Sequence, residues 1–355
     1  MTEKIKSINS FRIYEFDIFR VIACISIILT HLWFFFPIGI ELISIFEFLG
    51  TCGLTIFFFF SGFFISKYPL DNLVNIRKFW ENRLKRLIPA MYVAIFFYII
   101  VEKLNLGSTE WYIPLNLWSI LSNLLGLQVF FYQLRFFALW YIGALILLYI
   151  VHTCIRRIVS DNPIQYVSIS ILFFAFVVML SYIKLPIYGF EFEPRLTEYY
   201  FVFILGTVSG MIMDHENQKE LFYPLIFFFC LLLITLLFYF SGIRNVINSF
   251  NLPVFSTLLG LIFFILIIEL HLYTPLKSIP EIIMIGSYAS YSAYLLHYPI
   301  LCILATLGIQ NLYLFIFLSV LLVFLMGFIL QYTVDQILDK KRVFHSSTIL
   351  KRGNL

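Results

Sequence analysis

The sequence predicts an all-α polytopic membrane protein of about ten transmembrane helices in a single membrane domain. Three observations carry this. Apolar residues make up 61% and charged residues 12% of the 355 positions, whereas soluble domains run near half and a quarter. Several apolar runs reach the roughly 20 residues that cross a bilayer. The lysines and arginines between those runs are also unevenly distributed, as the positive-inside bias of membrane proteins requires.

Taken in order, the spans fall at 16–36, 43–65, 88–101, 138–154, 164–183, 197–213, 222–240, 252–270, 282–303 and 311–336. The third is short. The segment 114–131 is apolar enough for an interfacial or re-entrant helix, and if it crossed instead, the parity of every later span would change. With the N-terminus inside, ten spans place eighteen Lys and Arg on the cytoplasmic side, including Lys67, Arg77, Lys78, Arg83, Lys85 and Arg86 in one loop. Only Lys103, Arg135, Lys184, Arg195 and Arg244 fall outside. That split puts both termini in the cytoplasm, with tails at 1–15 and 337–355. No linker rich in Pro, Gly or Ser divides the chain, so 1–355 reads as one domain. The run FFFFSGFF at 57–64 is lipid-facing and helix-packing material, with Gly62 permitting a close helix contact.

The five cysteines all lie inside apolar runs without paired spacing, so neither a disulfide framework nor a metal site is indicated. The first apolar run lacks a small-residue cleavage site and continues into polar residues, unlike a removable signal peptide. No P-loop, GxGxxG, CxxC or HExxH pattern is present, so ATP drive, dinucleotide chemistry and zinc have no support. Nothing points to a nucleic-acid partner.

The first span is the most informative. Asp17, Arg20 and His31 lie inside it or at its edge, and charge at membrane depth is costly enough to be kept for function. On a helix, Arg20 and His31 stand about three turns, roughly 16 Å, apart and only about 20° apart around the axis. One face would carry an acid, a guanidinium near the surface and an imidazole deeper in. An imidazole titrates near neutral pH and can take a proton from a hydroxyl; the plainer reading of His31 is a hydrogen bond to a neighbouring helix.

Arg83 and Arg86, three residues apart where the basic loop enters the third span, would be neighbours on a helix. Two guanidiniums together suit a phosphate, although basic residues there also set topology and touch headgroups. Trp140 and Tyr141 open the fourth span at the outer face, where aromatic pairs commonly form an interface belt. Ser287, Tyr288, Tyr291 and Tyr294 form one polar stripe leading to His297, and such a stripe faces protein or a water-filled cavity. His297 lies about as deep as His31 and could bind substrate or simply satisfy the tyrosines. Glu269 and His271 read as interfacial residues. Glu191, Glu193, Arg195 and Glu198 cluster outside the sixth span, where they could bind an acceptor, although a solvated loop is the plainer reading.

These residues together resemble the acyltransferase 3 family of membrane-bound acyltransferases. FDIFRVIACISIILTH matches its Arg, ten residues, His signature through Arg20 and His31. LTIFFFFSGFFIS at 54–66 is similar to its second-helix pattern, and FWENRLKRLIPAMY to its RxxR-with-proline segment through Arg83, Arg86 and Pro89. LWYIGAL and SYSAYLLHYPI resemble its later aromatic and YLxH-x-P segments. The five landmarks occur in the expected order over nearly the whole chain. One departure is visible: many members carry a glutamate five residues after the tryptophan of the fourth motif, where Leu145 stands here. The appended hydrolase-like domain of some members is also absent from this sequence.

The resemblance implies a multi-pass O-acyltransferase of the cytoplasmic membrane. It would move an acyl group, often acetyl, from cytoplasmic acyl-CoA to a hydroxyl of a surface polysaccharide or lipid-linked sugar. His31 would transfer the proton, Arg20 and Asp17 would organise that helix, and Arg83 and Arg86 would hold the CoA phosphates. His297, Tyr291 and Trp140 are candidate substrate contacts; the donor would be acetyl-CoA, with no metal. The alternative is a polysaccharide or glycolipid export protein without chemistry. It would not depend on acyl-CoA or on the two arginines as phosphate ligands. The acyl chain, the acceptor sugar and the oligomeric state are not legible.

Overall fold

The computed structural model of the protein describes residues 14–36, 39–106, 115–131, 136, 138–159, 162–182, 187, 190–193, 195–212, 276 and 278–352. The expected spans at 222–240 and 252–270, with Glu269 and His271, lie outside the described residues. What is described is helical: α1 (Tyr14–Thr30), α2 (Ile40–Ser66), α3 (Leu73–Lys103), α4 (Leu117–Leu124), α5 (Trp140–Ile158), α6 (Pro163–Tyr182), α7 (Arg195–Ile212), α8 (Glu281–Ala305) and α9 (Leu312–Arg352). Among the described residues, five segments are long and apolar enough to cross a membrane: Tyr14–Phe34, Glu41–Ser66, Leu73–Lys103, Trp140–Ile158 and Leu312–Leu338.

Helix α8 packs against α1, α3 and α9. Helix α2 lies between α1 and α7, and α5 joins α3 to α6 and α7. The α2–α7 contact runs on glycine. A Cβ on Gly62 would stand 2.0 Å from the Phe203 carbonyl oxygen, and one on Gly206 would stand 2.0 Å from that of Phe59. Only hydrogen at both positions lets the two backbones approach so closely, as the expectation for Gly62 had it.

Two elements differ from their expected form. The short third span is the C-terminal half of a 31-residue helix, α3, whose N-terminal half carries the basic loop residues. Asn72 caps it by accepting from the Asn75 amide at 2.9 Å. Pro89 lies inside this helix. Its missing N–H leaves the Lys85 carbonyl without its intrahelical donor, close to the arginines. The segment 114–131 contains only the eight-residue α4, about 12 Å long and too short to cross. A reciprocal box between Asn116 and Ser119 caps α4. It is amphipathic in an inverted sense, with Ser119, Ser122 and Asn123 buried and Leu117, Trp118 and Leu121 exposed. A helix that hides polar groups and exposes apolar ones suits hydrocarbon better than water.

Candidate functional site

Glu15 and Asp17 stand in the first turn of α1, where carboxylates complement the positive end of the helix dipole. Asp17 is buried and accepts a hydrogen bond from the Ser287 hydroxyl of α8 at 2.6 Å. Arg20 lies one turn on, 3.8 Å from Asp17, with its guanidinium over the rings of Phe60 (5.8 Å) and Phe64 (4.8 Å).

The helix does not carry through to His31. It ends at Thr30, and the chain tightens into a 3-10 turn at Leu32–Phe34. His31 therefore caps the helix instead of continuing it. Its Nδ1 lies 2.7 Å from the carbonyl oxygen of Ile27. A carbonyl only accepts, so Nδ1 carries the hydrogen and Nε2 is the ring's acceptor.

A cavity of about 900 Å³ lies between α1, α2, α3, α5, α8 and α9. Its wall includes Asp17, Arg20, Lys67, Arg83, Lys85, Arg86, Tyr149 and Asp335, and the polar stripe of α8 runs along it as Ser287, Tyr288, Tyr291 and Tyr294. The expectation that this stripe faces a cavity is met. Lys85 and Arg86 are exposed at one end, while Phe57, Tyr141 and Tyr294 are buried at the other. Arg83 is caged by aromatic rings, 4.7 Å from Tyr68, 5.7 Å from Phe79 and 5.6 Å from Tyr149, and Nη2 donates to the Phe64 carbonyl at 3.4 Å. Its Nε is buried without a hydrogen-bond partner among the described residues. Among the described residues neither Arg83 nor Arg86 forms a salt bridge. Lys67 and Lys85, read at first only as topology signals, line the same space. Asp335 also lines it, beside Tyr288, whose hydroxyl donates to it at 2.5 Å. Leu145 stands on the wall as well, so the position where many acyltransferase 3 proteins carry a glutamate is apolar here.

His31 is not on that wall. At the buried end the rings of Phe57, Tyr141 and Tyr294 close together, with centroids 5.1 to 6.1 Å apart. Tyr294 is anchored by donating to the Ala138 carbonyl at 2.9 Å, and Tyr141 by its contact with the Ser61 hydroxyl at 3.1 Å. On the other side of Tyr294 lies His297, with ring centroids 5.5 Å apart, and His297 stands 4.8 Å from His31. The two histidines, 266 positions apart in the chain, thus form a pair one aromatic layer beyond the cavity. Arg20, expected on the same face nearer the surface, lines the cavity.

Trp140 is not an interface-belt residue. It is 2% exposed, and the Arg195 guanidinium stacks over its ring at 4.1 Å. Arg195 also reaches Glu193 through Nε (2.8 Å) and Nη2 (3.0 Å). Glu193 is fully buried, which corrects the solvated-loop reading at that residue, while Glu191 is exposed. The loop is drawn in because the Glu193 amide donates to the Val129 carbonyl at 2.8 Å, tying it to the segment after α4.

A bundle of apolar helices around a cation-lined cavity, with the His31–His297 pair beyond its buried end, defines a multi-pass membrane protein. The acyltransferase domain that defines the acyltransferase 3 family matches residues 13–333, nearly the whole chain, and the protein belongs to that family. No curated protein and no solved structure matched it.

Proposed function

We propose that the protein is a membrane O-acyltransferase that uses acyl-CoA, acetyl-CoA in the first instance, to acylate a hydroxyl of a surface polysaccharide or lipid-linked sugar. The observation that carries this is the placement of Arg83 and Arg86, without acidic partners among the described residues, on one cavity whose buried end stops a single aromatic layer short of His31. Both termini and the loop of Arg83 and Arg86 lie in the cytoplasm on this reading, so the donor enters from that side.

The two guanidiniums hold the CoA phosphates, for which a planar fork is better suited than a lysine point charge. Arg20 and Asp17 frame the same cavity and hold α1 against α8. The pantetheine arm passes towards Phe57, Tyr141 and Tyr294, and movement of that ring layer admits the thioester to His31. His31, with Nε2 as its acceptor, takes the proton of the acceptor hydroxyl as it attacks the thioester carbonyl. Trp140 and Arg195 shape the outer approach to the same point.

The test is binding and turnover on the purified protein. Arg83→Lys and Arg86→Lys should each weaken coenzyme A binding, read by calorimetry, while the protein stays folded and monodisperse. His31→Ala should keep coenzyme A binding and lose acetyl transfer by about 100-fold or more, the usual share of a general base. Unchanged binding in both arginine variants removes them from the donor site, and near wild-type turnover in His31→Ala removes His31 from the chemistry.

A further inference from the structure

A carboxylate on the wall of a cation-lined cavity works against the binding of an anion, so each one there calls for a reason. Asp17 has one, since it stands in the first turn of α1, accepts from Ser287 at 2.6 Å and lies 3.8 Å from Arg20. Asp335 does not share it. This residue stands late in α9, half-buried on the cavity wall, and forms no salt bridge among the described residues. Its oxygens are nevertheless held in place. Oδ2 accepts from the Tyr288 hydroxyl at 2.5 Å, and Oδ1 accepts from Gln331 Nε2 at 3.3 Å. Gln331 is itself oriented, because Ser292 donates to its Oε1 at 2.9 Å and so turns the amide nitrogen towards Asp335. A carboxylate has about four acceptor positions, so about half of this one's capacity is left over at the cavity. Helix α8 fixes the level: Tyr291, about one turn after Tyr288, donates to the Leu87 carbonyl at 3.0 Å, beside Arg86. Asp335 therefore stands close to the level of the two arginines, towards the end of the cavity where Lys85 and Arg86 are exposed.

We propose that Asp335 reads the base of the donor, accepting a hydrogen bond from the exocyclic amine of adenine at the exposed end of the cavity. The inference rests on the proposed function and adds to it the determinant of base specificity. Chemistry narrows the choice of partner. A carboxylate offers only lone pairs, so it needs a hydrogen donor, and coenzyme A carries few. The amides and hydroxyl of the pantetheine arm lie towards the buried end, with the thioester. The free ribose hydroxyl adjoins a phosphate, whose charge a carboxylate at that distance repels. The adenine amine remains, on the edge of the base far from the phosphates. A carboxylate there gains a charge-assisted hydrogen bond from adenine and repels a base with a carbonyl at the same position. Attraction to one ligand combined with repulsion of its near-isostere is how a site discriminates between the two. Tyr288 and Gln331 are positioning residues, because they act by fixing the carboxylate.

Two ligands and one substitution test this. The ligands are coenzyme A and its analogue with hypoxanthine in place of adenine, which puts a carbonyl where the amine was. Calorimetry on the full chain in nanodiscs would give Kd for each. The wild-type protein should bind coenzyme A about 10-fold or more tighter than the analogue, the usual worth of a hydrogen bond to a charged group. Asp335→Asn offers an amide that can accept from the amine or donate to the carbonyl, so its two Kd values should fall within about threefold of each other. Losing a negative charge strengthens phosphate binding for both ligands alike, and the ratio is free of that gain. A carboxylate kept only to brace α8 against α9 would leave the ratio unmoved. Equal binding of the two ligands by the wild-type protein, or an unchanged preference in Asp335→Asn, overturns the proposal. If Asp335→Asn is not monodisperse, Asp335→Ser replaces it, with the same expected loss of preference and the same overturning result. No binding of coenzyme A to the wild-type protein overturns the proposed function and this inference together, whereas equal binding of both ligands overturns the inference alone.

Discussion

Arg195 and Glu193 illustrate how one side chain's neighbours set what its loss costs. Glu193 is fully buried, whereas the Arg195 side chain keeps 30% exposure and rests on Trp140. Removing the arginine strands a buried carboxylate, the expensive way to break such a pair at about 3–5 kcal/mol. Replacing the glutamate with its neutral amide leaves a guanidinium that still has an aromatic face and water. Arg195→Met should therefore lower the thermal midpoint markedly more than Glu193→Gln. Fluorescence-detected size-exclusion after a heating series would check the order, and equal losses would mean that the pair is not buried as described. The same logic applies to Arg83, whose charge has rings and a carbonyl around it and, among the described residues, no carboxylate, as suits the anionic donor proposed for it.

Among the elements, α2 and α7 depend most on single positions. Their backbones meet at Gly62 and Gly206, and Ser66 comes close to Gly210 further along, where a Cβ would stand 2.1 Å from the serine oxygen. Gly206→Ala places a methyl against the Phe59 backbone, which cannot swing away like a side-chain end. We expect a loss of about 3 kcal/mol or outright misassembly, at the upper end of overpacking costs. Gly39→Ala is the matched control, since nothing lies within 4 Å of its added methyl. Equal thermal midpoints for the two variants would show that the helices do not pack through Gly206. The consequence reaches the site, because α2 also supplies Phe57, Phe60, Ser61 and Phe64 to the cavity wall.

The cavity of the whole molecule is electrically polarised, with five cationic side chains against Asp17 and Asp335 on its wall. A cationic end exposed to the cytoplasm would concentrate an anionic donor there. That orientation is the proposal most open to a direct check. Single cysteines at Lys78 and Lys184, in a background without the native cysteines, should differ. An impermeant maleimide added to intact cells should label Lys184→Cys and spare Lys78→Cys. Equal labelling of both from outside would defeat a ten-span arrangement with cytoplasmic termini.

The membrane class, the family and the approximate places of most of the described helices were legible in the sequence, because they depend on short-range composition. Hydrocarbon demands long apolar runs, and each run declares itself locally. The polar stripe of α8 was legible for the same reason, since periodicity of three and four is a property of one helix. The sequence also singled out the residues that now matter most, His31, Arg20, Arg83, Arg86 and His297, by type and motif. Their grouping was not legible. Regular helical spacing related Arg20 to His31 along one helix, but lateral packing set Arg20 against the cavity and His31 against His297. The burial of Glu193 and Trp140 could not be read either, because the Glu193 amide bonds Val129 and the Arg195 guanidinium stacks on Trp140, contacts between segments more than fifty residues apart. Local pattern determined which segments are helices and which residues are unusual for a membrane; only the packing of those helices decided which unusual residues meet.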